Sequence, residues 1–565
     1  MKIFVLSFYL ITTLLATGLQ VAAQAPRYVI AFTDKHNSPY QLDNPAGYLS
    51  PRALQRRARQ HISIDSTDLP VNPAYVDSIL QVGNVQLLYT LRWSNQAVIR
   101  TNDRAALEKI AAFPFVRMLD RSSERMSPYI AMPGGGMQQG NRVTAPARTT
   151  GATGIDYGSA YEQIHLHEGE YLHDKNLRGD GMLIAVLDGG FPSVNSNRAF
   201  EWLRSHQKIV ATRNFTNGDT DVYNYDDHGA HCLSILAANL PGEMTGAAPE
   251  ASYVLLRTEE EGTEQPIEET NWAGGAELAD SLGVDVISSS LGYNTFDEAE
   301  NDHTYAQLDG HTLPVTRAAD MAARKGMIVV NSAGNEGNLG WKYLLAPADA
   351  DSILTVGAVN SQRQVAAFSS FGPTADGRIK PEVAGLGVGT ILVDTDGSIG
   401  SGNGTSFACP TIAGLVSCLW QAFPRRSNME ILQAVKASSS QYTSPDNRIG
   451  YGIPDFRAAY DTLLKKEMQD TAYIRQQLGS RPIKVFPNPF RNQFNVYYSS
   501  STSQDPVHMQ LIDAGGRVTK NWLLSSYGAY GYFSSQTGLQ QLPTGMYYLR
   551  MVQGAKREVV KLMKY

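Results

Sequence analysis

Cysteine is scarce, with three residues (Cys232, Cys409 and Cys418) in 565. A low, odd number excludes a disulfide framework, so the fold has to rest on buried apolar surface. Cys409 and Cys418 stand nine positions apart on one predicted helix, hence on opposite faces, and cannot pair. Cys232 and Cys409 each follow a candidate functional residue closely; whether they meet stays open, beside the simpler reading of buried free thiols. Long apolar runs are missing after residue 23, so no later segment is expected to span a bilayer. Positive charge is not in excess either: 48 Lys and Arg against 54 Asp and Glu leave a net charge of −6. Nothing in that balance would draw nucleic acid or an anionic membrane surface. No acidic loop has calcium-ligand spacing, and His165 and His167 have no carboxylate or cysteine cluster beside them. No cofactor or metal is therefore read from the chain, with a structural calcium ion left open.

What is present is a set of short glycine-rich segments where apolar runs begin or end. In Gly-Asn-Gly-Thr-Ser-Phe-Ala-Cys-Pro (402–410), Ser406 precedes the run Ile412, Ala413, Leu415, Val416, Leu419 and Trp420. That is the pattern of a buried helix with the serine in its first turn. Pro410 is read as part of the same turn, where a missing N–H costs nothing. A serine there has free backbone N–H groups beside it and a dipole that favours negative charge; a plain helix cap is the alternative. Asp188 ends the apolar run 182–188 in a glycine turn, the mark of a buried strand. His228 opens a second apolar helix, with His231 on the same helix read as structural. A serine hydroxyl needs a base for its proton, and the base needs a carboxylate to hold its tautomer. Residues 329–337 run a strand into a turn that carries the Asn335 amide, a donor suited to a developing oxyanion.

These segments resemble the motifs of subtilisin-like serine proteases over roughly 181–456, in the order Asp, His, Ser. The resemblance implies an α/β fold with a parallel sheet covered by helices on both faces. It implies an endopeptidase in which Asp188, His228 and Ser406 are the triad and Asn335 the oxyanion-hole amide. Ser290, Leu291 and Gly292 would pair with substrate backbone, and Ser332, Ala333 and Gly334 would form the facing wall of the first specificity pocket. Two positions depart from the family pattern: Asp227 replaces the glycine before the histidine, and Ala230 replaces a threonine after it. Neither removes a catalytic group.

The rest of the chain divides around this region. Residues 1–23 read as a secretory signal peptide: Lys2, an apolar stretch, then Val-Ala-Ala before Gln24. Residues 24–132 show the order β-α-β-β-α-β of a ferredoxin-like α+β domain and resemble a subtilase propeptide, which would act as an intramolecular inhibitor. Residues 133–154, rich in glycine, threonine and alanine, read as a linker. The catalytic domain is placed at 155–463, where continuous apolar strands alternate with helices. A charged connector occupies 464–482. Residues 483–565 show alternating runs separated by turns, the pattern of a small antiparallel β-sandwich. Its P-N-P-F, D-x-x-G-R and L-P-x-G-x-Y segments resemble the sorting domain of type IX secretion, which implies delivery to the cell surface or medium by outer-membrane machinery.

An inactive subtilase scaffold used for binding or adhesion is the second reading; it calls for a degenerate triad, and all four positions are intact. An esterase would show a G-x-S-x-G elbow, which the serine lacks. In the resemblance Asp226 borders the second subsite, and Glu259, Glu260, Glu261 and Glu264 follow a strand that leads to the cleft. A basic residue before the cut is expected on that reading; helix capping by Asp226 or Asp227 and a solvated glutamate loop are the alternatives. The small residues Ser332, Ala333 and Gly334 predict a first pocket that accepts a large apolar or aromatic side chain.

Overall fold

The computed structural model describes residues 25–121, 155–501, 505–524, 528–535 and 539–565; the signal peptide and linker expected at 1–23 and 133–154 lie outside them. Seven parallel strands form the central sheet, in the spatial order Val383–Leu386, Leu354–Val359, Ile328–Ser332, Val286–Ser289, Leu183–Asp188, Ser252–Arg257, Ile209–Asn214. Five of these were legible as apolar runs. The two outermost strands were not, because the apolar part of Ile209–Asn214 is only three residues long before Thr-Arg-Asn and Val383–Leu386 is four residues long. The five-stranded middle is buried on both faces. One face packs against the helices His228–Ala237 and Thr405–Ala422, the other against Ile267–Leu282 and Pro314–Arg324. Asp188, Ser289 and Ser332 end adjacent strands of this sheet, at the edge where open α/β sheets present loops to ligands.

The N-terminal unit is a four-stranded antiparallel sheet in the order Gln86–Leu91, Gln96–Arg100, Arg27–Phe32, Val116–Arg121, with helices Pro51–Arg59, Pro73–Leu80 and Arg104–Ala111. Ser50, Asn72 and Asp103 cap those helices through their side chains, as such residues do for otherwise unpaired N–H groups. Its sheet is buried on two faces. Ala97 and Ile99 pack in the unit's own core, while Val98 joins Leu88, Tyr89 and Leu91 against the helix Ile267–Leu282.

Charge holds the same junction. Asp280, fully buried, meets three arginines: Arg56, Arg57 at 2.7 Å and Arg92 at 2.7 Å. Arg57 also pairs with Asp68 at 2.8 Å. Glu277, one turn earlier on that helix, accepts the backbone N–H of Arg92 and of Trp93 at 2.6 and 2.9 Å.

At the other end, the connector is the second half of one helix, Phe456–Leu478, capped by Asp455. Arg426 pairs with its Glu467 and Asp470 at 2.8 and 2.7 Å. Ile474 and Leu478 are buried, and the helix runs straight into the two sheets of three and four strands that make the C-terminal sandwich. No described helix is long and apolar enough to cross a membrane.

Removing one partner from a buried ion pair strands the others without compensation, at a cost of about 3–5 kcal/mol. Asp280→Ala is expected to loosen the Pro51–Arg59 helix by that order, read as faster amide exchange there in the full chain carrying Ser406→Ala.

Candidate active site

Ser406 sits at the second residue of the helix Thr405–Ala422, as its sequence predicts. Pro410 corrects the reading: it lies inside the helix, at the sixth residue, and not in the first turn. Without a proline N–H, the Ser406 carbonyl loses its intrahelical partner. It is satisfied from outside the helix, by Ser290 Oγ at 2.8 Å and the Cys232 thiol at 3.4 Å. The Ser406 hydroxyl in turn donates to the Ser290 carbonyl over a long 3.4 Å. Ser290 thus braces the serine as well as standing at the cleft.

His228 begins its helix beside the strand end that carries Asp188. Its Nδ1 lies 2.8 Å from Asp188 Oδ1, which also accepts the Gly189 N–H at 2.8 Å. Asp188 is 1% exposed, and its Oδ2 has no hydrogen-bond partner among the described residues. Burial favours a neutral imidazole, but the Asp188 charge and hydrogen bond outweigh it and hold His228 well above the ordinary 6.5. The Cys232 sulfur, 3.9 Å from Nδ1, adds no charge to this, because burial raises its own ionisation and keeps the thiol neutral. The same sulfur touches the Ser406 carbonyl, so histidine and serine flank one atom. All three cysteines are free and buried. Cys409 donates to the carbonyls of Ser289 and Val330 and is not bonded to Cys232.

Asn335 is held by its amide oxygen. The Thr405 N–H and hydroxyl donate to Oδ1 at 2.9 and 3.1 Å, which leaves Nδ2 to face elsewhere. A Cβ placed on Gly404 would stand 3.7 Å from both Asn335 Nδ2 and the Ser406 nitrogen, so the two donors border one space. Thr405, inside the motif yet given no role by the sequence reading, is what aims that amide. Ser290, Leu291 and Gly292 leave the strand Val286–Ser289, and Ala333 and Gly334 follow the neighbouring Ile328–Ser332.

The acidic residues divide. Asp226 Oδ1 accepts the His228 N–H at 3.2 Å, one residue ahead of the N-cap Asp227, whose own side chain makes no capping bond. Glu260 pairs with Arg27 of the N-terminal unit at 2.5 Å, and Glu261 is exposed. Glu259, Glu264 and Glu268 bring carboxylate oxygens within 4.8 Å of one another, and burial pushes Glu259 up to about 7. A solvated loop is therefore not what forms here. His231, 3% exposed, bonds Asp394 at 3.1 Å, and His167 is buried against the Pro454 carbonyl at 3.1 Å; both serve packing. A separate cavity of about 380 Å³ between Arg59, His61, Arg425, Tyr473, Tyr497 and Tyr532 contains none of the sequence's candidates.

A histidine raised by Asp188 is protonated at pH 6.5 and loses its proton only at higher pH, and the stability it lends falls away across the same rise. NMR titration of the Ser406→Ala chain is expected to show His228 ionising above 6.5. Asp188→Asn is expected to bring that ionisation down.

Sequence profiles of known families match three segments: the Subtilase family over 179–452, the peptidase S8 propeptide domain of Bacteroidota over 27–131, and the secretion system C-terminal sorting domain over 484–565. The thermophilic serine proteinase of Bacillus sp. (strain AK1) is 27% identical over 285 residues, 50% of this chain and 62% of that protein. Subtilisin NAT of Bacillus subtilis subsp. natto is 28% identical over 400 residues, 66% of this chain and 96% of its own. A solved structure, of MycP1 with the N-terminal propeptide removed, aligns with 53% of this chain and 96% of its own at 21% identity and a TM-score of 0.43. The sorting domain marks the chain for secretion or surface attachment through the type IX system. The chain is a serine-type endopeptidase of the subtilase family, with a propeptide domain ahead of its protease domain and a sorting domain behind it.

Proposed function

We propose that the enzyme cleaves peptide bonds with Ser406 as nucleophile, His228 as general base and acid, Asp188 as its orienting carboxylate, and Asn335 with the Ser406 N–H as the oxyanion hole. The 2.8 Å contact between His228 Nδ1 and buried Asp188 carries this reading. With Nδ1 committed to the carboxylate, Nε2 is the nitrogen free to take a proton. The hydroxyl leaves its long bond to the Ser290 carbonyl, gives its proton to Nε2 and attacks the substrate carbonyl. The oxyanion accepts from the Ser406 N–H and Asn335 Nδ2, whose shared space above Gly404 suits it. Collapse expels the amine, which takes the proton from His228. Water then attacks the acyl ester, giving a proton to His228; the bond from the acyl carbon to Ser406 Oγ breaks, Oγ takes that proton back, and the acid product leaves. Backbone of the substrate lies along Ser290, Leu291 and Gly292, with Ser332, Ala333 and Gly334 opposite.

The propeptide, locked over the helix Ile267–Leu282, serves as the intramolecular inhibitor until it is removed. Asp226 contributes to specificity at the few-fold level at most, since its carboxylate already holds the histidine helix.

Labelling with a fluorophosphonate followed by peptide mapping tests the assignment: the adduct is expected on Ser406. Ser406→Ala is expected to lower turnover by about 10⁶, the magnitude established for subtilisin itself, and full activity in that variant would end the reading. Asn335→Ala is expected to slow turnover by ~10²–10³, again the value known from subtilisin, with KM little changed; an effect on KM alone would remove Asn335 from the oxyanion hole. Deleting 483–565 is expected to leave peptidase activity in the periplasmic fraction and none at the surface.

A further inference from the structure

We propose that Leu345 sets the size of the first specificity pocket, so that the enzyme cuts after alanine, serine or glycine rather than after a large apolar residue. The inference rests on the cleft assignment above, and it reverses the preference that small Ser332, Ala333 and Gly334 suggest by themselves.

The two walls of the pocket each include a glycine, Gly292 and Gly334, and neither puts a side chain into the gap. Leu345 does. A Cβ placed on Gly292 would stand 2.6 Å from Leu345 Cβ and 3.1 Å from its Cδ1. One placed on Gly334 would stand 2.6 Å from Leu345 Cγ and 3.0 Å from Cδ1, with Ser370 Oγ at 2.9 Å. Carbon atoms in contact sit at about 3.5–4.0 Å, so the isobutyl group already touches both glycines. It lies across the pocket.

The backbone keeps it there. The Leu345 N–H donates to the Ala333 carbonyl at 3.2 Å, on one wall. Ala346 exchanges two hydrogen bonds with Tyr293, at 3.1 and 2.8 Å, directly after Gly292 on the other wall. Moving Leu345 out means breaking bonds to both sides. Its side chain is half-buried, whereas the flanking Leu344 and Ala346 are buried at 1% and 0% exposure, as expected of a group that floors an open cleft. A methyl or hydroxymethyl group fits above it; a benzyl or isobutyl group of the substrate overlaps it.

The test is kcat/KM for peptides identical except for Ala, Ser, Leu or Phe before the cut, using enzyme matured from the full chain. Wild type is expected to favour Ala over Phe by at least about 10-fold, since a single misfitting methylene in a hydrophobic pocket already costs about 10–200-fold. Leu345→Ala is expected to move that ratio at least tenfold toward Phe, and Leu345→Val to fall between. Fluorophosphonate labelling of each variant shows that the serine site is formed; should Leu345→Ala fail to label, Leu345→Val decides. A wild type that prefers Phe or Leu, or a ratio indifferent to Leu345, would overturn the proposal. Activity surviving in Ser406→Ala would instead strike the triad assignment and leave the ratio readable.

Discussion

A missing hydrogen bond organises the site. Pro410 removes the N–H that the Ser406 carbonyl would otherwise receive, and a buried carbonyl left unpaired is costly. The structure supplies the lack from two other elements, with Ser290 Oγ from the sheet edge and Cys232 Sγ from the histidine helix. Three segments far apart in the chain are thereby tied to one oxygen atom. The serine cannot shift along its helix axis without breaking contacts to Ser290 at the sheet edge and to the helix that carries His228.

Electrostatics follow the same economy of partners. Asp188 is buried, and its charge and its hydrogen bond to Nδ1 make the imidazolium form of His228 more favourable than solvent would. The Asn335 amide is similarly committed at one end, to Thr405, and available at the other. The His228 imidazole and the Asn335 amide are each held through one end, which leaves the other end free. Reorganisation during the reaction is small when donors are held in this way.

The propeptide unit shows why burial alone does not identify a domain's own core. Val98 reads as an ordinary member of an apolar strand, yet it faces the neighbouring domain. The helix Pro51–Arg59 carries four arginines, and two of them, Arg56 and Arg57, are 1% exposed against Asp280. A basic face and an acidic helix separated by more than 200 residues form one buried network.

The sequence by itself determined the elements that depend on local chemistry. Continuous apolar runs placed the inner strands, and the glycine-rich motifs marked Asp188, His228, Asn335 and Ser406 as candidates. Those features act over a few residues, so a linear reading reaches them. Only the tertiary structure decided what depends on distance across the fold. Ile209–Asn214, with only three apolar residues in a row, becomes a strand because Ser252–Arg257 offers it a partner. Asp226 is tied to the His228 N–H, and Glu259, Glu264 and Glu268 gather into a buried group whose proton affinity is raised by desolvation. Leu345 lies outside every motif, and its place between Gly292 and Gly334 follows from hydrogen bonds to Ala333 and, through Ala346, to Tyr293. No local pattern encodes such a contact, because its partners come from loops that meet only when the parallel sheet brings their strand ends side by side.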